Sequence, residues 1–171
     1  MLKKILKTLF LLLFIAFVAI QFFHPAKNKA VGPEAYSKDI TTVHQVPDEV
    51  QAIFKKACYD CHSNNTEYPW YNNIQPVAWW LADHVKEGKK ELNFSEFAGY
   101  SIGRQYRKLD KINEEVKEGG MPISSYTWIH RTAKLTDAEK LAVANWTTSL
   151  RDSIKSVYPP DSLIKKKPVS K

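Results

Sequence analysis

The feature that most constrains this 171-residue chain is a five-residue motif, Cys58-Tyr59-Asp60-Cys61-His62. Cys58 and Cys61 are the only cysteines in the sequence. They are too few for a disulfide framework, and with His62 they fall short of the four ligands of a structural zinc site. On a helix, positions i, i+3 and i+4 project from one side. Two thiols at this spacing can reach one edge of a porphyrin while the imidazole approaches its iron. The motif therefore predicts one covalent haem c, attached at Cys58 and Cys61, with His62 as an iron ligand.

A thioredoxin-like redox motif is the main alternative for this pair of cysteines. That motif needs a strand before it and a helix after it within a βαβ unit. The residues before Cys58 instead follow a helical period, and strand-like alternation is absent throughout the sequence. The pattern therefore favours haem attachment over thiol–disulfide exchange.

Four helical patterns predict an all-α domain over residues 47–157. The first begins at Pro47 and runs into the cysteine motif, the second runs from Pro76 to near Gly88, the third from about Arg104 to Glu118, and the fourth begins at Thr136. The last start has a capping box, with Thr136 as the N-cap and Glu139 three residues later. The predicted inner faces are Val50, Ile53, Phe54 and Ala57 on the first helix; Val77, Trp80, Leu81 and His84 on the second; Tyr106, Leu109, Ile112 and Val116 on the third; and Ala138, Leu141, Ala142, Trp146 and Leu150 on the fourth.

The formal charge of +7 comes from the two ends of the chain, because basic and acidic residues almost balance in residues 31–160. The sequence contains no stripe of basic residues interleaved with aromatic residues, which argues against a nucleic-acid partner. Residues 1–24 contain an uncharged run from Thr8 to Phe23 and predict an N-terminal transmembrane anchor. A cleaved signal peptide is the competing interpretation. Residues 25–46 are expected to be a linker that holds the domain off the bilayer, and residues 158–171 a basic, disordered tail.

Met121 is the predicted second axial ligand of the iron. A thioether is a soft ligand that favours ferrous iron. Apart from the initiator, Met121 is the only methionine, and it lies in a Gly-Gly-Met-Pro loop between two helical segments instead of on an apolar stripe. His84 is the alternative ligand, although a histidine in such a position also serves as a core residue or binds a haem propionate. His130 is expected to be exposed or hydrogen-bonded locally.

The aromatic loop that follows the motif offers residues to enclose the cofactor. Tyr68, Trp70 and Tyr71 come directly after the haem-binding segment, and we expect them to wall one haem edge.

Three further segments carry a family resemblance: CHSNNTEYPWY, HVKEGKKELNFSEF and GGMPISSYTWIH. Over about residues 40–155 the sequence resembles the bacterial haem-binding domain family, small membrane-tethered proteins that are similar to cytochrome c. The resemblance implies an all-α, cytochrome c-like fold and haem c at Cys58, Cys61 and His62. It implies little about a substrate.

These observations predict an electron carrier, not an enzyme, on the periplasmic face of the inner membrane. Covalent haem attachment takes place on the outer side of that membrane, which sets the expected location. Its expected partners are the membrane and a respiratory or periplasmic redox protein. A haem-based sensor or peroxidase-like enzyme with an exchangeable sixth ligand is the alternative.

Overall fold

The computed structural model describes residues 1–164, and within them the regular secondary structure is helical. An isolated β-bridge pairs Lys29 with Asn65. The all-α prediction is therefore confirmed. The α-helices are α1 (Leu2–Ile20), α2 (Asp48–Ala57), α3 (Tyr59–His62), α4 (Val77–Glu91), α5 (Ile102–Glu118), α6 (Ser124–Ile129), α7 (Asp137–Val157) and α8 (Pro160–Leu163), with 3₁₀ turns at Pro33–Tyr36, Ile40–Thr42, Trp70–Asn73, Phe94–Gly99 and Arg131–Ala133.

The core forms where α2, α5 and α7 meet. All four predicted inner residues of α2 are buried, as are Leu109, Ile112 and Val116 of α5. Phe54 packs against Phe94 at a ring distance of 4.7 Å and against Trp146 at 5.5 Å. Helical periodicity predicted the α2 and α5 parts of this core because their stripes face one continuous apolar interior.

The predicted N-terminus of α7 is confirmed, but its inner face is rotated from the predicted one. Thr136 and Glu139 form both hydrogen bonds of the capping box. Leu141, expected inside, is 59% exposed. Trp146 is buried and donates through its indole N–H to the carbonyl of Gln45. The other buried positions of α7 are Val143, Ala144, Thr147 and Ile154.

The second predicted helix is present as α4, and its inner face also differs from the prediction. Ala78 and Val85 are its buried residues, whereas Trp80 is 41% exposed. The buried side chains of α4 are small, and the helix approaches the cysteine motif closely at Gly88. The large side chain of Trp80 lies at the surface.

The segment predicted as a spacer, residues 25–46, lies against the domain instead of extending from it. Ile40 is completely buried in the core, and the backbone of Ala98 donates to the carbonyl of Lys38. Asn28 donates through its amide to the Ser63 carbonyl and the Thr66 hydroxyl. These contacts make the segment a strap of the domain, which corrects the linker prediction.

Helix α1 carries an apolar surface that the rest of the chain leaves uncovered. Its residues are exposed except at the C-terminal end, and its first two turns include Lys3, Lys4 and Lys7. Within residues 1–164, no helix combines the length and the apolar character that crossing a membrane requires. The predicted transmembrane helix is therefore not confirmed.

The end of the described chain packs onto α5. Leu163 in α8 is buried, and Arg107 donates to its carbonyl at 3.1 Å. Residues 158–164 are thus ordered against the domain, contrary to the predicted disordered tail. The remainder of that tail, residues 165–171, lies outside the described residues.

Candidate functional site

The cysteine motif lies at a break between two helices. Helix α2 ends at Ala57, and Cys58 leaves the helical conformation with φ −125° and ψ −42°. The single turn of α3 follows, in which the N–H of Cys61 and that of His62 both donate to the Cys58 carbonyl, at 3.2 and 2.9 Å. The local turn therefore folds the backbone of Cys61 and His62 back toward Cys58.

Two backbone carbonyls orient the His62 imidazole. Its Nδ1 lies 2.9 Å from the oxygen of Gly88 and 3.0 Å from that of Leu92. Because a carbonyl only accepts, Nδ1 carries the hydrogen, and Nε2 keeps a free lone pair for a metal. Burial lowers the pKa of His62, which favours the neutral, metal-binding form. Backbone partners of this kind set the tautomer of metal-binding histidines.

A glycine makes this arrangement sterically feasible. A Cβ atom on Gly88 would lie 2.7 Å from the Cys61 carbonyl oxygen and 3.1 Å from the Cys61 Cβ. Only glycine lets α4 approach the motif closely enough for its carbonyl to reach the His62 ring.

Two apolar cavities meet beside His62. One, of about 210 Å³, is reached by the Cys58 side chain and the other, of about 220 Å³, by that of Cys61; we call them the Cys58 cavity and the Cys61 cavity. His62, Glu91 and Met121 line both. The Cys58 cavity is completed by Leu92, Phe94, Lys108, Lys111, Ile112, Glu115 and Val116, and the Cys61 cavity by Ala57, His84, Glu87, Gly88, Pro122, Ile123 and Tyr126.

The loop after α5 brings Met121 to this site. Gly119 ends the helix with φ +75°, a left-handed conformation that glycine adopts without strain. The N–H of Met121 then donates to the Glu115 carbonyl at 3.1 Å, which turns the loop back toward the cavities. His62 and Met121, far apart in sequence, consequently line the same two cavities.

Neither cysteine is in a disulfide, and the surroundings of both disfavour the thiolate. Burial, followed by the neighbouring Cys61, raises the pKa of Cys58 to about 12. Burial and the Asp60 carboxylate raise the pKa of Cys61 to about 11. Thiols this poorly ionised are unlike the low-pKa thiolates of thioredoxin-type redox sites.

The predicted aromatic wall lies elsewhere. Tyr68 accepts a hydrogen bond from the backbone N–H of Asn28, Trp70 is 75% exposed, and the Tyr71 hydroxyl bonds to Nε2 of His130. None of the three predicted wall residues is among the described side chains that line either cavity. His130, expected to be exposed or hydrogen-bonded locally, is half-buried, and its ring bonds to Tyr71, which is distant in sequence.

Sequence reasoning missed Tyr126, which lines the Cys61 cavity from helix α6. Its hydroxyl donates to a carboxylate oxygen of Asp60 at 2.7 Å. No local pattern marks this pair, because 65 residues separate them. His84, the alternative ligand, does reach the Cys61 cavity, and its Nδ1 lies 2.8 Å from the Trp80 carbonyl.

The residues present fit a haem. An oriented neutral imidazole and a thioether line two adjoining apolar cavities whose joint size falls within the ~300–1,000 Å³ typical of small-molecule sites. A family model described as a haem-binding domain matches residues 15–149. The chain belongs to this haem-binding domain family. In comparisons with curated proteins and with solved structures, nothing matches the chain. The protein therefore binds haem. Cys58 and Cys61 each line one of the two adjoining cavities, and His62 and Met121 line both.

Proposed function

We propose that this haem-binding domain is a c-type cytochrome with one covalently attached haem, and that it transfers electrons. Cys58 and Cys61 would hold the group through thioether bonds, and His62 and Met121 would be the two iron ligands. The observation that carries the proposal is the position of His62 and Met121, which line both the Cys58 cavity and the Cys61 cavity.

Haem bound at this site supplies an iron that alternates between the ferric and ferrous states. The protein's part is to hold two ligands in fixed positions. His62 is fixed by two carbonyls, and Met121 by a loop whose backbone is tied to Glu115. A rigid ligand pair keeps structural change between the two oxidation states small, which favours rapid electron transfer.

The attachment is tested by producing the full chain together with a c-type maturation system. The purified protein should exceed the polypeptide mass by one haem, and its absorbance should remain with the chain after acid–acetone extraction. Cys58→Ala and Cys61→Ala should each leave one thioether, which the pyridine haemochrome spectrum reports as a red-shifted band. Haem that is fully extracted from the wild-type chain would refute covalent attachment while leaving haem binding intact.

A sensor or peroxidase-like protein is the second candidate, because His84 shares the Cys61 cavity with Met121. Carbon monoxide separates the two functions. A fixed Met121 should prevent rapid binding to the reduced wild-type protein and should give the weak methionine–iron charge-transfer band in the ferric protein. Met121→Ala should abolish that band and open the site, whereas His84→Ala should leave both properties unchanged. Rapid carbon monoxide binding to the wild type would favour the sensor function.

We place the protein at the inner membrane with its domain on the periplasmic side, where a respiratory or periplasmic redox protein would be its partner. The uncovered apolar side chains of α1 support membrane attachment. A chain lacking residues 1–20, exported through a cleavable secretion signal, should appear in the soluble periplasmic fraction, and the full chain in the membrane fraction. Protease added to spheroplasts should cleave the full chain. Retention of the shortened chain in membranes, or protection from the protease, would contradict this placement.

A further inference from the structure

Tyr126 and Asp60 connect the two halves of the haem site. Asp60 lies between the two cysteines, on α3, and Tyr126 follows Met121 by five residues, on α6. The Tyr126 hydroxyl donates to Oδ2 of Asp60 at 2.7 Å. This hydrogen bond runs from the segment that would hold the porphyrin to the loop that would supply its sixth ligand.

Asp60 is itself held firmly. Its Oδ1 accepts the backbone N–H of Glu67 at 2.9 Å, and its backbone carbonyl accepts the Thr66 hydroxyl at 2.6 Å. With both carboxylate oxygens engaged, Asp60 presents Oδ2 to Tyr126 in a fixed direction.

The Tyr126 ring is fixed as well. It stacks on His130 with ring centroids 4.4 Å apart and an angle of 14° between the planes, and the N–H of His130 donates to the Tyr126 carbonyl. Tyr126 also lines the Cys61 cavity, as do Met121, Pro122 and Ile123. Because Tyr126 follows Met121 closely in the chain, a fixed Tyr126 restrains the methionine loop.

We propose that the Tyr126–Asp60 hydrogen bond is a clamp that keeps the Met121 loop closed, so that Tyr126 is a positioning residue for the sixth iron ligand. The inference rests on the proposed role of Met121. A hydroxyl–carboxylate hydrogen bond is stronger than a neutral one, and its loss should raise the population of the open loop about tenfold to a hundredfold.

The test is ligand competition in the haem-loaded full chain. Imidazole added to the ferric protein binds only where Met121 has left the iron, so its apparent affinity follows the open population. Tyr126→Phe, which removes only the hydroxyl, should raise that affinity about tenfold or more and weaken the charge-transfer band. Tyr158→Phe is the control: it removes a phenol hydroxyl from a side chain that is 42% exposed and lines neither cavity, and the affinity should stay at the wild-type value.

The acceptor side gives a second, independent variant. Asp60→Asn has an amide oxygen that can accept from Glu67 N–H and an amide NH2 that can donate to the Tyr126 oxygen, so it should lie closer to the wild type in imidazole affinity than Asp60→Ala. Wild-type affinity in Tyr126→Phe and in Asp60→Ala alike would overturn the clamp. A wild-type protein that lacks the charge-transfer band would instead overturn the proposed ligand, Met121, whichever result the variants give.

Discussion

The side-chain amide of Gln21 and the backbone of Gln75 exchange two hydrogen bonds. The N–H of Gln75 donates to Oε1 of Gln21 at 2.9 Å, and Nε2 of Gln21 donates to the Gln75 carbonyl at 3.2 Å. Nε2 of Gln75, a fully buried residue, donates in turn to the Phe23 carbonyl at 2.7 Å. The end of α1 is therefore attached to the haem-binding domain through the side chains of Gln21 and Gln75.

Replacing Gln75 by alanine should loosen this attachment. The variant loses the side-chain hydrogen bond to Phe23 and leaves space where a buried amide stood, so we expect a loss of about 1–2 kcal/mol in the free energy of unfolding. Limited proteolysis should also cleave residues 21–30 faster. Gln45→Ala, which alters an exposed side chain, is the control and should match the wild type in both measurements. Equal proteolysis of the two variants would show that α1 is held by other contacts.

Gly88 should tolerate no side chain. A Cβ atom there would meet the Cys61 carbonyl at 2.7 Å, a backbone atom that has little freedom to move. Gly88→Ala should therefore push α4 away from the motif, lengthen the Gly88–His62 hydrogen bond and destabilise the protein by about 1–3 kcal/mol. The yield of haem-loaded protein and its thermal unfolding measure the effect.

Gly99→Ala is the matched control for this prediction. The nearest atom to a Cβ at Gly99 is the flexible Lys38 Cδ, 3.6 Å away, which is ordinary van der Waals contact. This variant should keep the wild-type haem yield within error. Equal haem yield in Gly88→Ala would mean that the close approach of α4 is not needed to position His62.

The sequence predicted those parts of the fold whose signals are local. The stripe Val50, Ile53, Phe54 and Ala57 repeats with the helical period and is buried in full. The capping box at Thr136 depends on residues three positions apart and is present. In both cases the residues that carry the pattern lie close together in the sequence of one helix.

Non-local contacts escaped prediction. Ile40 is buried beside Asp39 in a segment without apolar periodicity, so no period marked the strap. The partners of His62 are the backbone carbonyls of Gly88 and Leu92, and a backbone carbonyl leaves no mark in a sequence pattern. Tyr126 reaches Asp60 only after the chain has folded. Packing between distant segments, not residue type, decides these positions.

Glu139 should make stability depend on pH. The Lys56 ammonium, and after it the Thr136 backbone N–H, hold the pKa of Glu139 below its usual value. A lowered folded-state pKa stabilises the protein above the unfolded-state pKa of about 4.3 and ceases to do so as the pH falls through the folded-state value. Glu139→Gln keeps the capping geometry but loses the charge, so we expect a loss of up to about 1 kcal/mol at pH 7 that shrinks as the pH falls below the unfolded-state pKa and vanishes below the lowered folded-state pKa.

Two comparisons separate the contribution of the Glu139 charge to stability from that of its capping hydrogen bond. Glu139→Ala removes both and should cost about 1–2 kcal/mol at pH 7, part of which persists at low pH. Added salt should reduce the effect of Glu139→Gln because the Lys56 pair is partly exposed. Chemical denaturation at pH 7 and pH 4 measures each difference, and an effect of Glu139→Gln that grows on acidification would contradict the assigned charge interaction.

Leu163 and Ile164 offer a test of the ordered chain end. Leu163 is 5% exposed and packs in the core cluster, whereas its neighbour Ile164 is 63% exposed. Leu163→Ala removes buried methyl groups and should lower the free energy of unfolding by about 2–3 kcal/mol. This value lies in the lower part of the range for core leucines, because a terminal turn can relax around the cavity that the substitution leaves. Ile164→Ala should change it by less than about 0.5 kcal/mol. Urea unfolding of the two variants decides the matter: equal midpoints would mean that residues 158–164 contribute nothing to the core.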